Sequence, residues 1–282
     1  MSFGILNNIP SIDAQNNLNV TQSSLQSTLL QLSSGSRINS GADDAAGLAI
    51  ANGLQANITA LNQSANNAND GVGALQVADG ALSQVTTLLN RAVTLATESS
   101  TGTVSTSQRS ALDAEFTQIK NEISSIGSAT TFNGTSVFTA STTSVFLSDG
   151  VGTTTIGVTV GLLSSSNIAN ASNASAATVS FAADSLTSAA NAQQTLTDLN
   201  SAIANVAGTR GEIGATVNRL QASVNVINNQ VQNLTAAENQ ITAANIPQQV
   251  SNLSQFTILE QTGFAALAQA NSVQQNVLTL LR

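Results

Sequence analysis

The sequence predicts a mainly α-helical fold, an elongated antiparallel helical bundle or coiled coil formed by both halves of the chain, with a small β-hairpin region in the middle. Two heptad repeats of apolar residues, one in each half, and the Ser/Thr-rich segment between them lead to this prediction. Apolar residues that recur every three and four positions over many heptads are typical of helices packed along their whole length in a left-handed supercoil. We therefore expect the two halves to pair.

The first repeat predicts a helix of roughly 50 residues, which would be about 75–80 Å long. Only Asp79 and Thr86 interrupt its apolar pattern. Its positions are Leu54, Ile58, Leu61, Ala65, Ala68, Val72, Leu75, Asp79, Leu82, Thr86, Leu89, Val93 and Ala96.

The start of this helix is predicted at Ser40, which could cap it in a capping-box pattern with Asp43, while Asp44 adds a favourable charge to the first turn. Three glycines inside the helix, Gly71, Gly73 and Gly80, each cost about 1 kcal/mol relative to alanine. We expect packing to compensate, by letting a neighbouring element come close.

A shorter helix is predicted next, capped by Ser105 with Gln108, and it should fold back antiparallel on the first. Its apolar positions are Leu112, Phe116, Ile119, Ile123 and Ile126. The Asn133-Gly134 pair supplies the positive φ angles of a turn at its end.

The middle of the chain changes to β-type patterning. Residues 143–147 and 153–160 are rich in β-branched side chains and flank a turn at 148–152, which predicts a hairpin. Residues 164–177 are a low-complexity run of Ser, Asn and Ala, most simply an exposed loop.

The second repeat predicts another long helix, from near residue 184 to near residue 238. Its positions are Leu196, Leu199, Ile203, Val206, Arg210, Ile213, Val217, Leu220, Val224, Ile227, Val231 and Leu234. Arg210 alone interrupts the pattern, and a charge at such a position is expected to set helix register or partner choice. A hinge is expected at 243–247, because Pro247 disfavours helix just before it.

The two chain ends carry few charges but are amphipathic. The amino-terminal apolar set is Leu18, Leu25, Leu29 and Leu32, and the carboxy-terminal set is Phe256, Leu259, Gly263, Ala266, Ala270, Val273, Val277 and Leu280. Short helices with few charge pairs are marginal in water. We expect both ends to be loosely ordered in the monomer and helical when buried against partners.

Three domains follow from these patterns. Residues 1–40 and 241–282 form a terminal coiled-coil domain, residues 41–134 and 184–240 form a helical rod domain, and residues 135–183 form a small hairpin region with an exposed loop.

Composition excludes several classes of function. The sequence contains no Cys and no His, so the common zinc, copper and haem sites and the usual general base of hydrolases are excluded. A net charge of −8 with seven basic residues argues against nucleic-acid binding. The sequence contains no run of 18 apolar residues, so no membrane span is predicted. Residues 1–10 lack the pattern of a cleaved signal peptide, so an exported chain is expected to leave by another route.

Candidate catalytic or metal-binding side chains are few. The adjacent carboxylates Asp43 and Asp44 fit a helix start, Lys120 fits a solvated position on a polar helix face, and Asp149 alone supplies too few oxygens for calcium. We therefore predict no enzyme activity, no catalytic residue, no cofactor and no metal site.

Five segments resemble signatures of bacterial flagellins. Residues 34–50 (SGSRINSGADDAAGLAI) are similar to the amino-terminal signature nearly residue for residue, and residues 131–134 resemble the segment after the second helix. Residues 214–220, 267–271 and 277–282 resemble the carboxy-terminal signatures. The resemblance covers roughly residues 1–135 and 184–282.

The resemblance implies a secreted subunit that polymerises into the extracellular filament of the bacterial flagellum for motility, with the terminal helices driving polymerisation. Expected partners are further copies of the chain, the flagellar type III export apparatus, an export chaperone, and the hook-associated and cap proteins. The short middle region implies a form without large outer domains. The resemblance also implies that Arg91, Leu95 and Glu115 match positions at which some flagellins contact Toll-like receptor 5.

Two alternatives stay open at this point. A hook–filament junction protein would share the terminal pattern but act as an adaptor. A secreted receptor-binding or adhesive module would concentrate its function in residues 135–183.

Overall fold

The computed structural model describes residues 8–147, 154–168 and 179–280, without the side chains of 274 and 276–280. Over these ranges the chain forms five helices and three antiparallel strand pairs, in agreement with the predicted fold class. The elements are α1 (Ile9–Ser34), α2 (Ala45–Ser100), α3 (Thr106–Ala129), β1 (Thr131–Phe132), β2 (Thr135–Ser136), β3 (Thr143–Leu147), β4 (Thr154–Val158), β5 (Leu163–Ser164), β6 (Asn167–Ile168), α4 (Ala189–Thr242) and α5 (Ile246–Leu280).

The predicted start of α2 is wrong by about one turn. Asp44 caps the helix by accepting a hydrogen bond from the Gly47 main-chain N–H at 2.9 Å. The Asp43 carboxylate instead accepts from the main-chain N–H groups of Asn39 and Ser40, both at 2.9 Å, and these bonds lower its pKa. Asp43 therefore closes the loop before the helix, and Ser40 is a donor in that loop rather than the cap.

The turn between α2 and α3 is closed from both sides. Ser105 and Gln108 form the predicted capping box at the start of α3. Arg109 is only 8% exposed, and its guanidinium donates to the carbonyl oxygens of Ser99 and Thr101 at the end of α2. A cation placed on the last carbonyls of a helix interacts favourably with the helix dipole.

The β region contains the predicted hairpin and two further strand pairs. β3 pairs with β4, and Val145 and Ile156 lie opposite each other on the buried face. Asn133 and Gly134 adopt φ angles of 49° and 75°, which confirms the predicted turn and joins β1 to β2. The expected turn at 148–152, with Asp149, lies outside the described residues.

The prediction of an exposed loop over 164–177 is wrong at its first residues. β5 pairs with β6, and Ile168 is 1% exposed, so this tight hairpin is anchored by an apolar side chain that composition alone did not reveal. Gly127 of α3 permits the contact, because a Cβ there would overlap the Leu163 carbonyl. The rest of the predicted loop, 169–177, lies outside the described residues.

The chain divides into two compact units. Unit 1 contains Met1–Ala56 and Asn233–Arg282, and unit 2 contains Asn57–Gln232. In unit 2, α2 runs antiparallel to α4, since Asp79 pairs with Arg210 while Gly71 lies against Leu220. It also runs antiparallel to α3, since Arg91 pairs with Glu115 while Ser99 accepts from Arg109. The predicted three-domain division stays a prediction.

One row of each long seam is buried as predicted. The buried row of α2 includes Leu61, Ala68, Leu75, Leu82, Leu89 and Ala96, and that of α4 includes Leu199, Val206, Ile213, Leu220 and Ile227. The second predicted row is displaced by one position, because Ala78, Val85 and Ala92 are fully buried while their neighbours Asp79, Thr86 and Val93 are half-buried. Since α2 packs against both α3 and α4, its buried face is wider than the seam of a two-helix pair.

The three glycines of α2 for which close packing is predicted have different environments. A Cβ on Gly71 would lie 2.7 Å from Val145 Cγ2 and 3.4 Å from Leu220 Cδ1, so β3 and α4 approach closely there. A Cβ on Gly73 would lie 3.4 Å from the Phe132 ring, an ordinary contact distance. Gly80 has nothing within 4 Å, and the prediction of a close neighbour is wrong for it.

Lys120 is not a free solvated side chain, and that prediction is wrong. Its ammonium donates to the carbonyl oxygens of Asp184 at 2.7 Å and Ala182 at 3.2 Å, and it lies 4.9 Å from the centre of the Phe116 ring. Phe116 itself is fully buried against Phe181. Lys120 therefore fastens the segment before α4 onto α3.

Candidate functional site

The paired chain ends, α1 and α5, form the candidate site. The helices are antiparallel, because Ser11 near the start of α1 donates to Asn271 at 3.1 Å while Gln22 further along donates to Glu260 at 3.5 Å. The Asn8 side chain donates to the Ala270 carbonyl at 3.2 Å. Both ends are helical as predicted, while their looser order in the isolated monomer in solution stays a prediction.

The inner face of α1 has a heptad spacing. All of its residues at positions a and d are buried or half-buried, and they are Ser11, Ala14, Leu18, Thr21, Leu25, Thr28 and Leu32. Leu18 and Thr28 are the most deeply buried, at 7% and 5% exposed. Leu29 lies beside this seam at position e and is 46% exposed, so its predicted place in the seam is wrong. Thr28, one residue earlier, occupies position d of the seam instead, on the side of α1 that faces α5.

The inner face of α5 uses half of the predicted seam. Phe256 and Gly263 are half-buried as expected, and Gly263 brings Leu18 close, since a Cβ there would lie 3.1 Å from Leu18 Cδ1. The second row runs through Glu260 and Leu267, both half-buried, instead of Leu259 and Ala266. Leu259 and Val273 are 44% and 40% exposed, and they flank the pair. The predicted Val277 and Leu280 side chains lie outside the described residues.

A second apolar stripe runs along the outer face of α1. It contains Ile9, Ile12, Val20 and Leu30, which are 52–67% exposed and which we call the outer stripe. In the heptad of the inner seam these residues occupy positions f, b, c and f, which point away from the partner helix. Such positions are ordinarily polar in a two-helix pair, so α1 carries one apolar surface more than α5 requires.

Exposed apolar side chains are concentrated in unit 1. Among the described residues, only Val77, Phe146, Leu162 and Val226 of the large exposed hydrophobic side chains lie in unit 2. Unit 1 contains all the others, including Leu259, Phe264 and Ile258 of α5. An exposed apolar surface concentrated in one part of a protein marks an interaction surface.

Sequence reasoning missed the outer stripe. The strongest seam of the amino-terminal segment does not include Ile9, Ile12, Val20 and Leu30, so it predicts no role for them. The signal was present, because placing every apolar residue of α1 in one heptad frame separates an a/d set from a b/c/f set.

The three residues predicted to contact an immune receptor are not equally accessible. Arg91 donates to Glu115 at 2.7 Å in an exposed ion pair, and the Arg91 guanidinium lowers the pKa of the Glu115 carboxyl. Leu95 is 1% exposed, which excludes it from a contact made by the folded chain, since it belongs to the core of unit 2. Arg91 and Glu115 remain as predicted contacts.

The described residues show no cluster of metal-ligating side chains and no helix long and apolar enough to cross a membrane.

Comparison with known proteins identifies the family. Residues 5–143 match the bacterial flagellin N-terminal helical region, and residues 196–281 match the bacterial flagellin C-terminal helical region. The chain belongs to the bacterial flagellin family. This flagellin is 35% identical over 280 residues to a flagellin of Halalkalibacterium halodurans, with 99% of both chains covered. It is 37% identical over 313 residues to a flagellin of Xenorhabdus nematophila, with 100% of both covered.

A third relative is the flagellar filament 33 kDa core protein of Treponema phagedenis, 31% identical over 289 residues, with 99% of both chains covered. The protein is accordingly a structural subunit of the extracellular flagellar filament, and it self-assembles into that helical polymer. None of these findings favours the junction-protein or adhesive-module alternatives.

Proposed function

We propose that this flagellin polymerises through the outer stripe of α1 together with the exposed apolar row of α5 that contains Leu259 and Val273. The observation that carries the proposal is that α1 is apolar on two opposite faces, and α5 covers only one of them. The other face is left for neighbouring subunits.

The predicted polymerisation residues then divide into two groups. Leu18, Leu25, Leu32 and Phe256 hold α1 against α5 and support polymerisation indirectly. Leu29, Leu259 and Val273 are exposed and contact neighbouring subunits. Val277 and Leu280, whose side chains lie outside the described residues, stay proposed polymerisation residues without an assigned surface.

Hydrophobic burial supplies the driving force. Complete burial of a Val, Leu or Ile side chain is worth about 1.5–3 kcal/mol. The four residues of the outer stripe would each gain about half of that, since they are already partly covered in the single chain. Repeated along a polymer, this gain offsets the loss of translational and rotational freedom on assembly.

The wider assignment follows the family. We propose residues 1–40 and 241–282 as the filament-core domain, residues 41–134 and 184–240 as the helical rod domain, and residues 135–183 as the outer hairpin region. Export through the flagellar type III apparatus with a chaperone, contact with hook-associated and cap proteins, and the absence of any catalytic step belong to the same proposal. Recognition by Toll-like receptor 5 would depend on Arg91 and Glu115 alone, because Leu95 is buried.

The test is seeded growth of filaments from Leu30→Gln subunits, with Leu30→Met as the matched control. Leu, Gln and Met have similar helix propensities, so both variants should keep α1 intact. Fragments of native filament serve as seeds, and electron microscopy and sedimentation measure the subunit concentration left at equilibrium.

We expect Leu30→Gln to raise this critical concentration about tenfold, which corresponds to about 1.4 kcal/mol, and Leu30→Met to leave it within twofold. Equal growth of both variants would show that the outer stripe is not an assembly surface. Wild-type subunits that decorate seed ends without elongating them would instead support the junction-protein alternative.

A further inference from the structure

The last turn of α4 is capped by a distant part of the chain. The Arg37 guanidinium donates through Nε to the Ile241 carbonyl oxygen at 2.5 Å. The Arg37 main-chain N–H donates to the Thr242 carbonyl at 2.7 Å, and the Ser36 hydroxyl lies 3.0 Å from the same oxygen and 2.9 Å from the Ile38 carbonyl, so it can donate to either. The segment between α1 and α2 therefore satisfies carbonyls that the end of a helix leaves without partners.

The connection also runs in the opposite direction. The Ala244 main-chain N–H donates to the Gly35 carbonyl at 2.9 Å, and Ser36 and Ala243 form an antiparallel bridge. Gly35 has a φ of 70°, which turns the chain out of α1 toward these partners. We call residues 35–37 and 241–244 the clasp.

The clasp lies between the end of α1 and the start of α5. α1 ends at Ser34, one residue before it, and α5 begins at Ile246, two residues after it. The Gln31 side chain of α1 also donates to the Arg37 carbonyl at 3.1 Å. The clasp therefore fixes the two points from which α1 and α5 run alongside each other.

We propose that Arg37 is a positioning residue for filament assembly, because the clasp sets the register of α1 against α5 and thereby the direction of the outer stripe. A slip of one residue turns a helix face by about 100° relative to its partner. Hydrogen bonds between described side chains of α1 and α5 include those of Asn8 and Ser11 at the start of α1 and that of Gln22 with Glu260 near the middle of α1. Exposed or half-buried amide and hydroxyl bonds of this kind specify register weakly. The inference rests on the proposed assembly surface.

The identity of the residue fits this role. The planar guanidinium of an arginine can donate to one helix carbonyl while the backbone N–H of the same residue donates to the next carbonyl. A lysine ammonium is a point charge on a flexible side chain. Among the described residues, the ion pairs are Arg91 with Glu115 and Arg210 with Asp79, so Arg37 directs its charge at carbonyl oxygens instead.

The test compares Arg37→Ala and Arg37→Lys with Arg219→Ala, which removes the same charge from an exposed position on α4. Register is measured with a cysteine pair at Ser11 and Asn271, whose side-chain oxygens lie 3.1 Å apart, and with a slipped pair at Ile12 and Asn271. The native chain contains no cysteine, so each cross-link reports one pair. Critical concentration is measured by seeded growth, and thermal unfolding monitors unit 2.

We expect Arg37→Ala to raise the critical concentration about tenfold, as for a lost charge-assisted hydrogen bond, with Arg37→Lys between it and the wild type. The Ser11–Asn271 cross-link should decrease in favour of the slipped pair, and the unfolding of unit 2 should not change. Unchanged growth, or reduced growth with an unchanged cross-link ratio, would overturn the register role. So would an equal effect of Arg219→Ala.

Ser36→Ala provides a milder variant if Arg37→Ala fails to fold, and it should show the same change in cross-link ratio to a smaller extent. The assembly surface itself is tested separately by Leu30→Gln, which leaves the clasp intact. Normal growth of Leu30→Gln refutes the assembly surface, whereas a normal cross-link ratio in Arg37→Ala refutes only the clasp.

Discussion

Two glycines of α2 should respond in opposite ways to the same substitution. Alanine at an exposed helix-interior glycine stabilises the helix by about 1 kcal/mol, mainly by restricting the unfolded chain. Gly80 is such a site, since a Cβ there meets nothing within 4 Å. We therefore expect Gly80→Ala to stabilise the protein by about 1 kcal/mol, or about 2–4 °C in melting temperature for a unit of this size.

Gly71→Ala gains the same helix propensity but loses more through overlap. The new Cβ would lie 2.7 Å from Val145 Cγ2, and Val145 cannot easily move, because it is β-branched, 8% exposed and held in β3 opposite Ile156. Overpacking of this kind costs about 1–3 kcal/mol. The net effect of Gly71→Ala is a destabilisation of up to about 2 kcal/mol, which places the two variants about 1–3 kcal/mol apart.

The assay is denaturant unfolding of the full-length subunit, followed by circular dichroism at concentrations too low for polymerisation. Combining Val145→Ala with Gly71→Ala gives a double-mutant cycle, which isolates the free-energy cost of the overlap between the two side chains. In the Gly71→Ala background Val145→Ala should cost at least about 1 kcal/mol less than in the wild type, because the two substitutions are in direct contact. If Gly71→Ala proves as stabilising as Gly80→Ala, the close approach of β3 to α2 is refuted.

Three further predictions concern unit 2. Burial, and then the charge of Asp198, raises the pKa of the Asp184 carboxyl above its ordinary value of 3.8. The folded state therefore disfavours the ionised form, and the free energy of unfolding falls as pH rises through the raised pKa. Asp184→Asn should therefore raise the free energy of unfolding at pH 7 and lose this advantage below about pH 4, and a pH-independent effect would contradict the assignment. Lys120→Met should reduce hydrogen-exchange protection at the start of α4 by roughly tenfold, as two main-chain carbonyls lose their donor, while equal protection would show that the ammonium is dispensable. Asp79→Asn and Arg210→Gln should show a coupling free energy of about 0.5–1 kcal/mol in a double-mutant cycle. The value is small because both side chains are more than a third exposed. If the effects of the two substitutions on stability simply add, the ion pair has no role in helix register.

The long helices could be predicted from the sequence because their main signal is local. Heptad spacing predicts the buried rows of α2 and α4, and the two charged residues among the three that interrupt the seams, Asp79 and Arg210, pair with each other. The displaced second row could not be predicted in the same way. It depends on α3 as a third packing partner, and a single-helix pattern does not state how many neighbours a helix has.

Long-range polar contacts were the least predictable part of the fold. Lys120 was interpreted as a solvated side chain because its own helix offers it no partner, yet its acceptors lie more than sixty residues away in the sequence. Arg37 reaches across more than two hundred residues to the end of α4. Such contacts satisfy main-chain carbonyls, which every residue possesses, so no pattern of side-chain types announces them.

The chain ends show why a monomer-based interpretation of a pattern misassigns residues in a polymer subunit. A helix that is apolar on one face is explained by one partner, whereas α1 has an a/d face for α5 and a b/c/f face for something else. If all apolar residues of α1 are assigned to a single seam, the flanking residue Leu29 is wrongly placed in the contact with α5 and Thr28 is wrongly omitted from it. Two superimposed heptad sets on one terminal helix therefore predict both a fold-back contact and an assembly contact. The relative direction of the two sets is meaningful only if register is fixed, and the clasp at Arg37 is the part of unit 1 where main-chain hydrogen bonds join the two chain ends directly.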